Sequence, residues 1–212
     1  MRGGIHLNDK FYNLPKEKQN AIINAGCRVF SENSYKKSPM SEIAKEAGIS
    51  KALLFYYFKN KKEFYLYLYN YVFTLMLEIS RAEIAPAETD FFQIFSQGSK
   101  CKYMLLKQNL YLFSFMMKTY YEEDEEVVGE LIGKNSSVTN NSINVILGRI
   151  DKSKFKETVD IEELIKVVVW CGEGYMKEMH FTPLKDLDEV EAGYQKIIDF
   201  FRKSSYKEEY IP

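Results

Sequence analysis

The clearest pattern in the sequence is SEIAKEAGISKALLFYYF, which runs from Ser41 to Phe58. Its first half carries small and apolar residues at helical spacing and ends at Gly48, a residue that readily takes the left-handed backbone with which helices end. Ser50 then stands where a helix N-cap is wanted, because its hydroxyl can accept from the amides of the following turn. The stretch therefore predicts a helix-turn-helix, in which the second helix enters the major groove of DNA.

The residues around this stretch make the pattern more specific than a bare helix-turn-helix. From Met40 to Glu63 the chain resembles the DNA-binding domain of the tetracycline-repressor (TetR) family, through IAKEAGISK at 43–51 and FYYFKNK at 55–61. The resemblance extends from about Lys16 to about Phe64 and covers under a third of the chain. It implies an all-α fold with three N-terminal DNA-binding helices and a larger helical body that binds a ligand and forms a dimer.

The resemblance also assigns residues that contact DNA. The first three residues of the second helix match positions that approach base edges, and the tyrosines near its end and the lysine beyond match phosphate contacts. Leu53 departs from the small polar residue common in the family and can touch a thymine methyl but cannot hydrogen-bond a base. For Tyr56 and Tyr57 the alternative is packing within the domain. The predicted DNA-binding residues are Ser38, Met40, Lys51, Ala52, Leu53, Phe55, Tyr56, Tyr57 and Lys61.

Charge is unevenly distributed along the chain. Residues 1–62 contain 12 basic and 5 acidic side chains, a net charge of +7, whereas residues 63–212 contain 17 and 25, a net charge of −8. A basic segment joined to an acidic one is typical of a DNA-binding module attached to a module that does not bind DNA. Double-stranded DNA is therefore the first expected partner.

The composition limits the classes of protein that fit. The chain is 46% hydrophobic and 28% charged, which is ordinary for a soluble protein. Polar residues interrupt every long apolar run, so neither a membrane span nor a signal peptide is expected. The three cysteines are far apart in the sequence, which fits a reduced compartment and no disulfide framework. We therefore expect a cytoplasmic protein with no membrane partner.

Periodicity divides the chain into three segments. Residues 1–15 are expected to be a flexible arm, with residues 1–6 resembling a tag remnant; residues 16–62 form the DNA-binding domain, in which Ser38 is expected to cap the second helix. Residues 63–212 form the ligand-binding and dimerisation domain. About nine helices are expected in all. Those after the DNA-binding domain are predicted at 61–84, from 90 onward with a break or bend at Gly98, and at 100–121, 127–150, 161–179 and 186–203.

No enzyme signature accompanies these helices. The sequence lacks a phosphate-binding loop, a dinucleotide-binding glycine pattern and a His-Glu-x-x-His motif, so we expect no catalysis, metal or cofactor. His180 is interpreted as a helix-terminus residue. Gly172 and Gly174 are interpreted as sites of close helix packing or of a functional kink. The five acids at 122–126 read as a solvated turn rather than a cation site.

The acidic body is rich in aromatic and methionine side chains, which form adaptable apolar cavities and can stack on cations. We therefore expect a small hydrophobic or cationic effector, although ordinary core packing is the alternative for each residue. The helix from Lys61 connects this body to the DNA-binding domain and could transmit a tilt. The predicted ligand-binding residues are Tyr67, Tyr71, Phe113, Met117, Trp170 and Tyr175.

Apolar stripes on the last two long helices predict a homodimer, and the resemblance implies a four-helix interface there. The predicted interface residues are Val168, Tyr194, Ile197 and Phe201. Together these features predict a ligand-responsive transcriptional regulator, a repressor released from its operator by the effector. Two alternatives are a DNA-binding regulator whose body binds a protein partner and a helical enzyme with an incidental helix-turn-helix.

Overall fold

The computed structural model describes residues 9–85, 87–181 and 187–211. Within these ranges the chain forms ten α-helices, two 3₁₀ helices and one isolated β-bridge, between Phe155 and Tyr206. The predicted all-α fold is confirmed. The helices are α1 (Asp9–Tyr12), α2 (Lys16–Glu32), α3 (Met40–Glu46), α4 (Lys51–Tyr57), α5 (Lys61–Glu83), α6 (Phe91–Gln108), α7 (Leu110–Thr119), α8 (Val128–Arg149), α9 (Ile161–Phe181) and α10 (Leu187–Ser205), with 3₁₀ helices at Lys152–Lys154 and Glu208–Tyr210. No helix in the described ranges is long and apolar enough to cross a membrane.

The chain divides into two compact units. The first contains the residues up to Leu75 together with Asn109–Lys134, and the second contains Met76–Gln108 and the residues from Asn135 onward. Helix α7 belongs to the first unit because it packs against α2. The units therefore do not coincide with the sequence-based boundary between residues 62 and 63, which stays a prediction of where the DNA-binding domain ends.

The first unit is built on a close contact between α2 and α5. A β-carbon added at Gly26 would lie 2.6 Å from both Leu68 Cδ1 and the Phe64 ring, well inside van der Waals distance. Both of those side chains are fully buried, as is the neighbouring Cys27. Only glycine therefore allows the two helices this approach. Phe30 adds an edge-on aromatic contact from α2 to Tyr65 of α5, with ring centroids 4.8 Å apart.

The predicted flexible arm is wrong for residues 9–14. These residues form α1 and a turn, in which the amides of Asn13 and Leu14 donate to carbonyls within the same segment. Phe11 is fully buried, and burial of one phenylalanine is worth about 1.5–3 kcal/mol. Periodicity could not reveal this anchor, because a single apolar residue has no period. Residues 1–6, which resemble a tag remnant, lie outside the described residues.

The predicted break at Gly98 is also wrong. Helix α6 continues through Gly98 and ends at Gln108, and a new helix, α7, starts after Asn109. The Asn109 side chain caps α7 by accepting from the Leu112 amide at 3.4 Å, and it also donates to Asn24 of α2 at 2.9 Å. The cap and the tertiary hydrogen bond made by Asn109 explain why the helix breaks at this residue. A single glycine inside a helix, such as Gly98, lowers helix stability by only about 1 kcal/mol.

The second unit has an aromatic core where α6, α10 and the 152–155 turn meet. Phe92 packs edge-on against Tyr206, with ring centroids 4.9 Å apart, and Phe155 packs against Tyr206 at 4.8 Å. The Tyr206 hydroxyl accepts from the Phe91 amide at 3.1 Å, so the one polar atom of this buried ring is satisfied. Val168 of α9 and Ile198 of α10 belong to the same core.

Asp90 joins three elements at the start of α6. Its carboxylate accepts from Lys154 Nζ at 2.9 Å, from the Gln93 amide at 2.9 Å and from the Arg202 guanidinium at 3.5 Å. Burial raises the pKa of this carboxyl, but the hydrogen bonds from Lys154 and Gln93 and the charge of Arg202 outweigh burial. The pKa of Asp90 therefore lies below its ordinary value.

We predict that Asp90→Asn lowers the free energy of unfolding by about 1–3 kcal/mol at pH 7, because two largely buried cations lose their anionic partner. The folded-state pKa of Asp90 is below its value in the unfolded chain. Its contribution is therefore complete at neutral pH and is lost as the pH falls through the acid range. In urea unfolding, the difference between wild type and Asp90→Asn should shrink from pH 7 to about pH 3.

Asp199→Asn is a matched control, because Asp199 is exposed on α10; it should change stability little at either pH. Asp90→Ala also removes the acceptor for the Gln93 amide and should cost more than Asp90→Asn. A penalty for Asp90→Asn that is equal at pH 7 and pH 3 would contradict the ionic account.

Candidate nucleic-acid interface

The turn between α3 and α4 has the geometry that the sequence predicts. Gly48 has φ of +68°, a left-handed backbone in which a side chain would be strained. The Ile49 amide donates to the Ala44 carbonyl at 3.0 Å, which closes the end of α3. The Ser50 hydroxyl accepts from the Leu53 amide at 3.1 Å and caps α4. These local bonds fix the entry of the chain into α4.

Helix α4 has one buried side and one open side. Leu54 is fully buried on the inner side. The open side combines a lysine with aromatic rings, and Lys51 Nζ lies 5.8 Å from the centroid of the Phe55 ring. Tyr56 is 46% exposed. Of the predicted DNA-binding residues, Lys51, Ala52, Phe55 and Tyr56 are exposed and Leu53 is half-buried.

Three predicted DNA-binding residues are buried instead. Ser38 does not cap α3; its hydroxyl donates to the carbonyls of Ser34 at 2.9 Å and Val29 at 3.3 Å, and its side chain is fully buried. Met40 is also a core residue. Tyr57 is buried with its ring edge-on to Phe11, at 5.9 Å between centroids. For Tyr57 the packing alternative is therefore favoured, and Ser38 and Met40 serve the interior of the domain.

Lys61, predicted to contact phosphate, lies at the start of α5. Its ammonium donates to the Lys36 carbonyl at 3.3 Å and lies 4.6 Å from the centroid of the Tyr35 ring. Burial lowers the pKa of Lys61, while the nearby carboxylates, led by Glu126, act in the opposite direction. Lys61 therefore links α5 to the connection between α2 and α3.

The acidic segment 122–126 was predicted to be a solvated turn; it is non-helical and none of its residues is buried, but two of its five acids also contact Tyr35. Glu122 accepts from the Tyr35 backbone amide at 2.9 Å, and Glu126 hydrogen-bonds the Tyr35 hydroxyl. Burial raises the pKa of the Tyr35 phenol, and Glu126 raises it further. Nearby, Glu130 of α8 pairs with Lys62 of α5 at 2.7 Å. Acidic side chains thus hold the edge of the DNA-binding helices within the first compact unit.

Sequence reasoning missed this contact because Tyr35 and Glu122 are 87 positions apart. A run of acidic residues is interpreted as a solvated surface when its partner cannot be identified from the sequence. One signal was available, namely that the run directly precedes a helix that carries Glu130 and Lys134. Lys134 donates to Asn70 of α5 at 3.0 Å. This hydrogen bond joins the start of α8 to α5.

The predicted ligand-binding residues fall into both compact units. Tyr67, Tyr71, Phe113 and Met117 belong to the first. Tyr67 is buried against Phe11 and Phe58, at 5.4 and 5.2 Å between ring centroids, and therefore packs in the interior of the DNA-binding region. Phe113 and Met117 are buried on α7, and Tyr71 is half-buried on α5.

Trp170 and Tyr175 belong to the second unit, on α9. Trp170 is 59% exposed. The Tyr175 hydroxyl donates to the Val190 carbonyl at 2.9 Å, and its ring lies against Gly193, where a β-carbon would clash. Tyr175 therefore has a structural role in joining α9 to α10. Gly172 also allows α9 and α10 to pack closely, since a β-carbon added there would lie 3.2 Å from the Tyr194 ring. This agrees with the prediction of close helix packing at Gly172.

Of the predicted dimer residues, Val168 is fully buried in the core of its own chain, and its assignment to the interface is corrected. Tyr194, Ile197 and Phe201 are half-buried on α10. Phe200, which was not predicted, is 67% exposed on α10. The apolar stripe was identified correctly, but its periodicity alone could not distinguish the side that faces the chain's own core from the side that is left uncovered.

These features define a class. A left-handed glycine turn between two short helices, the second with an exposed basic and aromatic side, is the arrangement of a helix-turn-helix DNA-binding protein. Residues 22–68 match the model of a family described as bacterial regulatory proteins, tetR family. This match confirms the resemblance found in the sequence for residues 22–68.

Curated relatives match over the same region. The chain is 42% identical over 55 residues to the fatty acid metabolism regulator protein of Bacillus subtilis (strain 168), and 35% identical over 75 residues to the uncharacterized HTH-type transcriptional regulator YuxN of the same organism. These matches cover 26% and 34% of this chain. They span 27% and 26% of the two relatives, about a quarter of the length of each.

Solved structures extend the likeness to the rest of the chain at the level of the fold. The fatty acid degradation regulator FadR of Bacillus halodurans is similar with a TM-score of 0.72 at 16% identity, over 86% of this chain and 97% of that one. SmeT, the repressor of the Stenotrophomonas maltophilia multidrug efflux pump SmeDEF, has a TM-score of 0.71 at 15% identity, over 89% and 90%. A TetR family transcriptional regulator from Chloroflexus aurantiacus J-10-FL has a TM-score of 0.69 at 17% identity, over 95% and 99%.

Proposed function

We propose that this chain is a dimeric transcriptional regulator, and specifically a repressor that a small hydrophobic molecule releases from its operator. The observation that carries the proposal is the open side of α4, where Lys51, Phe55 and Tyr56 are exposed beyond a capped, glycine-closed turn. Residues 1–62, which include this helix, carry a net charge of +7. An exposed helix face with a lysine and aromatic rings, in a segment of net positive charge, suits the major groove.

Sequence preference in this proposal comes from few residues. Lys51 can donate to base acceptors, and the Leu53 side chain can contact the methyl group of thymine. Tyr56 can donate to a phosphate, which positions the helix without selecting a base. Specificity and affinity are therefore carried by different side chains of one short helix, so that substitutions can separate them.

We predict that the purified protein enriches a defined sequence from random duplex DNA at low salt. Leu53→Ala should change the enriched sequence, because it alters a side chain near the bases. Tyr56→Phe should keep the enriched sequence and weaken binding about 2- to 10-fold, the range for one lost hydrogen bond. Affinity should also fall steeply as salt rises. Selection that enriches no sequence would refute the DNA-binding assignment.

The dimer is proposed to form through α9 and α10. Trp170 on α9 and Phe200 on α10 are 59% and 67% exposed in the single chain. Exposed aromatic rings of this size are costly in water and gain when a partner covers them. A two-fold axis would place the same surface on both subunits and present two α4 helices to successive major-groove faces, about 34–36 Å apart.

We predict that Phe200→Asp yields monomers in light scattering, because a charge would replace an apolar ring in the interface. Val145→Asp is the matched control: Val145 is 68% exposed on α8, so the same charge is introduced at a comparably exposed apolar site outside the proposed interface. The control should remain a dimer. A dimer that survives Phe200→Asp would move the interface elsewhere.

The effector is proposed to be a small apolar molecule, with long acyl chains the first class to test and hydrophobic cations the second. Two relatives are named as regulators of fatty acid metabolism and fatty acid degradation, and a third as a repressor of a multidrug efflux pump. Phe113, Met117 and Tyr71 remain the candidate contacts, because Tyr67 is packed in the core, Tyr175 joins two helices and Trp170 is exposed. The effector must bind the two DNA-affinity states differently, since equal affinity shifts nothing.

We predict that at least one long-chain acyl compound or hydrophobic cation binds the protein and releases it from a fluorescently labelled operator. Calorimetry would measure binding of each compound to the protein. Fluorescence anisotropy would measure release of the labelled operator in a parallel titration. A compound that binds without release would show a site that is not coupled to DNA. Failure of every apolar compound to bind would favour the alternative in which the helical body binds a protein partner. The helical-enzyme alternative has weaker support, because the family consists of transcriptional regulators.

A further inference from the structure

The turn between α2 and α3, residues 33–39, is held by side chains that lie far from it in the sequence. Tyr35 is buried in this turn, with its ring edge-on to Tyr65 of α5 at 5.1 Å between ring centroids. The Lys36 carbonyl accepts from Lys61 Nζ of α5 at 3.3 Å. The turn leads directly into α3, the first helix of the helix-turn-helix. Its position therefore helps to set where α3 begins.

Glu122, which follows α7, holds the same turn through its carboxylate. Its Oε2 accepts from the Tyr35 backbone amide at 2.9 Å, and its Oε1 accepts from the Asp124 amide at 3.2 Å. A hydrogen bond to a carboxylate is stronger than one between neutral groups. The segment that carries Glu122 is itself anchored, because Thr119 before it and Val127 after it are buried. Glu122 therefore ties the α2–α3 turn to a fixed part of the first compact unit.

We propose that Glu122 is a positioning residue for DNA binding, which keeps the α2–α3 turn and the start of α3 in place for the duplex. In this role Glu122 does not touch DNA, because a carboxylate and a phosphate repel each other. Its contribution is conformational: the apparent affinity falls in proportion to the fraction of molecules that has the turn in place. The inference rests on the proposed DNA binding and adds a residue outside the family match at residues 22–68.

Charge alone is the competing explanation, and it predicts a change of the opposite sign. The segment 122–126 is acidic throughout, so neutralising any of its carboxylates would reduce the repulsion of phosphate and strengthen binding. A positioning role instead makes neutralisation of Glu122 weaken binding. The neighbouring Glu123 is exposed and reports the effect of charge by itself. The sign of the difference between the two residues therefore separates the explanations.

The test measures the affinity of the full-length protein for the selected operator and for a random duplex at one fixed low salt concentration. Glu122→Ala removes the acceptor of both amides and should weaken binding to both duplexes about 3- to 10-fold, within the range for one lost hydrogen bond. Glu122→Gln keeps one oxygen that can accept from an amide, so it should recover part of this loss. Glu123→Gln is the matched control: it removes the same charge from the same segment and should not weaken binding.

Hydrogen exchange in the absence of DNA tests the contact itself. The Tyr35 amide should exchange faster in Glu122→Ala than in wild type or Glu123→Gln, because it has lost its acceptor. Affinity is compared at a temperature at which circular dichroism shows every variant to be folded. Lost affinity then cannot come from global unfolding.

The two measurements fail in different ways. Faster exchange of the Tyr35 amide with unchanged affinity would make the contact purely structural and overturn the positioning role. Affinity that rises alike in Glu122→Gln and Glu123→Gln would support the charge explanation instead. An unchanged exchange rate of the Tyr35 amide would refute the contact with Glu122 and leave the proposed function intact. A wild type that binds no duplex would refute the proposed function itself, and the positioning role with it.

Discussion

The close approach of α2 to α5 at Gly26 is the constraint on which the first compact unit depends. No side chain fits between Gly26 and the buried ends of Phe64 and Leu68. Because α5 begins only three residues after Phe58, its position also fixes the end of α4. Phe58 packs on Phe64 at 4.5 Å between ring centroids. The orientation of α4 is therefore set by packing among residues that are not predicted to contact DNA.

Local chemistry was readable from the sequence, and tertiary chemistry was not. Gly48 and Ser50 were assigned correctly because their roles depend on neighbours within a few positions. Ser38 has the same cap chemistry, but a competing set of acceptors, the Ser34 and Val29 carbonyls, takes its hydroxyl. Spacing alone could not decide between these outcomes, since both satisfy one hydroxyl.

The candidate site was predicted in part for the same reason. The open side of α4 follows from helical geometry once the inner face is known, so Lys51, Ala52 and Tyr56 were placed correctly on the surface. The pairing of Glu122 with Tyr35 was missed because it joins residues far apart in the sequence. Charge summed along the chain separates a basic from an acidic part, yet some of these acids lie against the basic helices.

The burial of Cys27 has a consequence for the chemistry of the DNA-binding region in the cell. Burial raises the pKa of this thiol far above its ordinary value, so almost none of it exists as the thiolate that peroxides and electrophiles attack. Cys27 lies beside Gly26 on the face of α2 that contacts α5. A reagent can reach it only when those helices separate. The Cys27 thiol is thus protected from oxidation while the region is folded, and alkylation of Cys27 would record opening of its core.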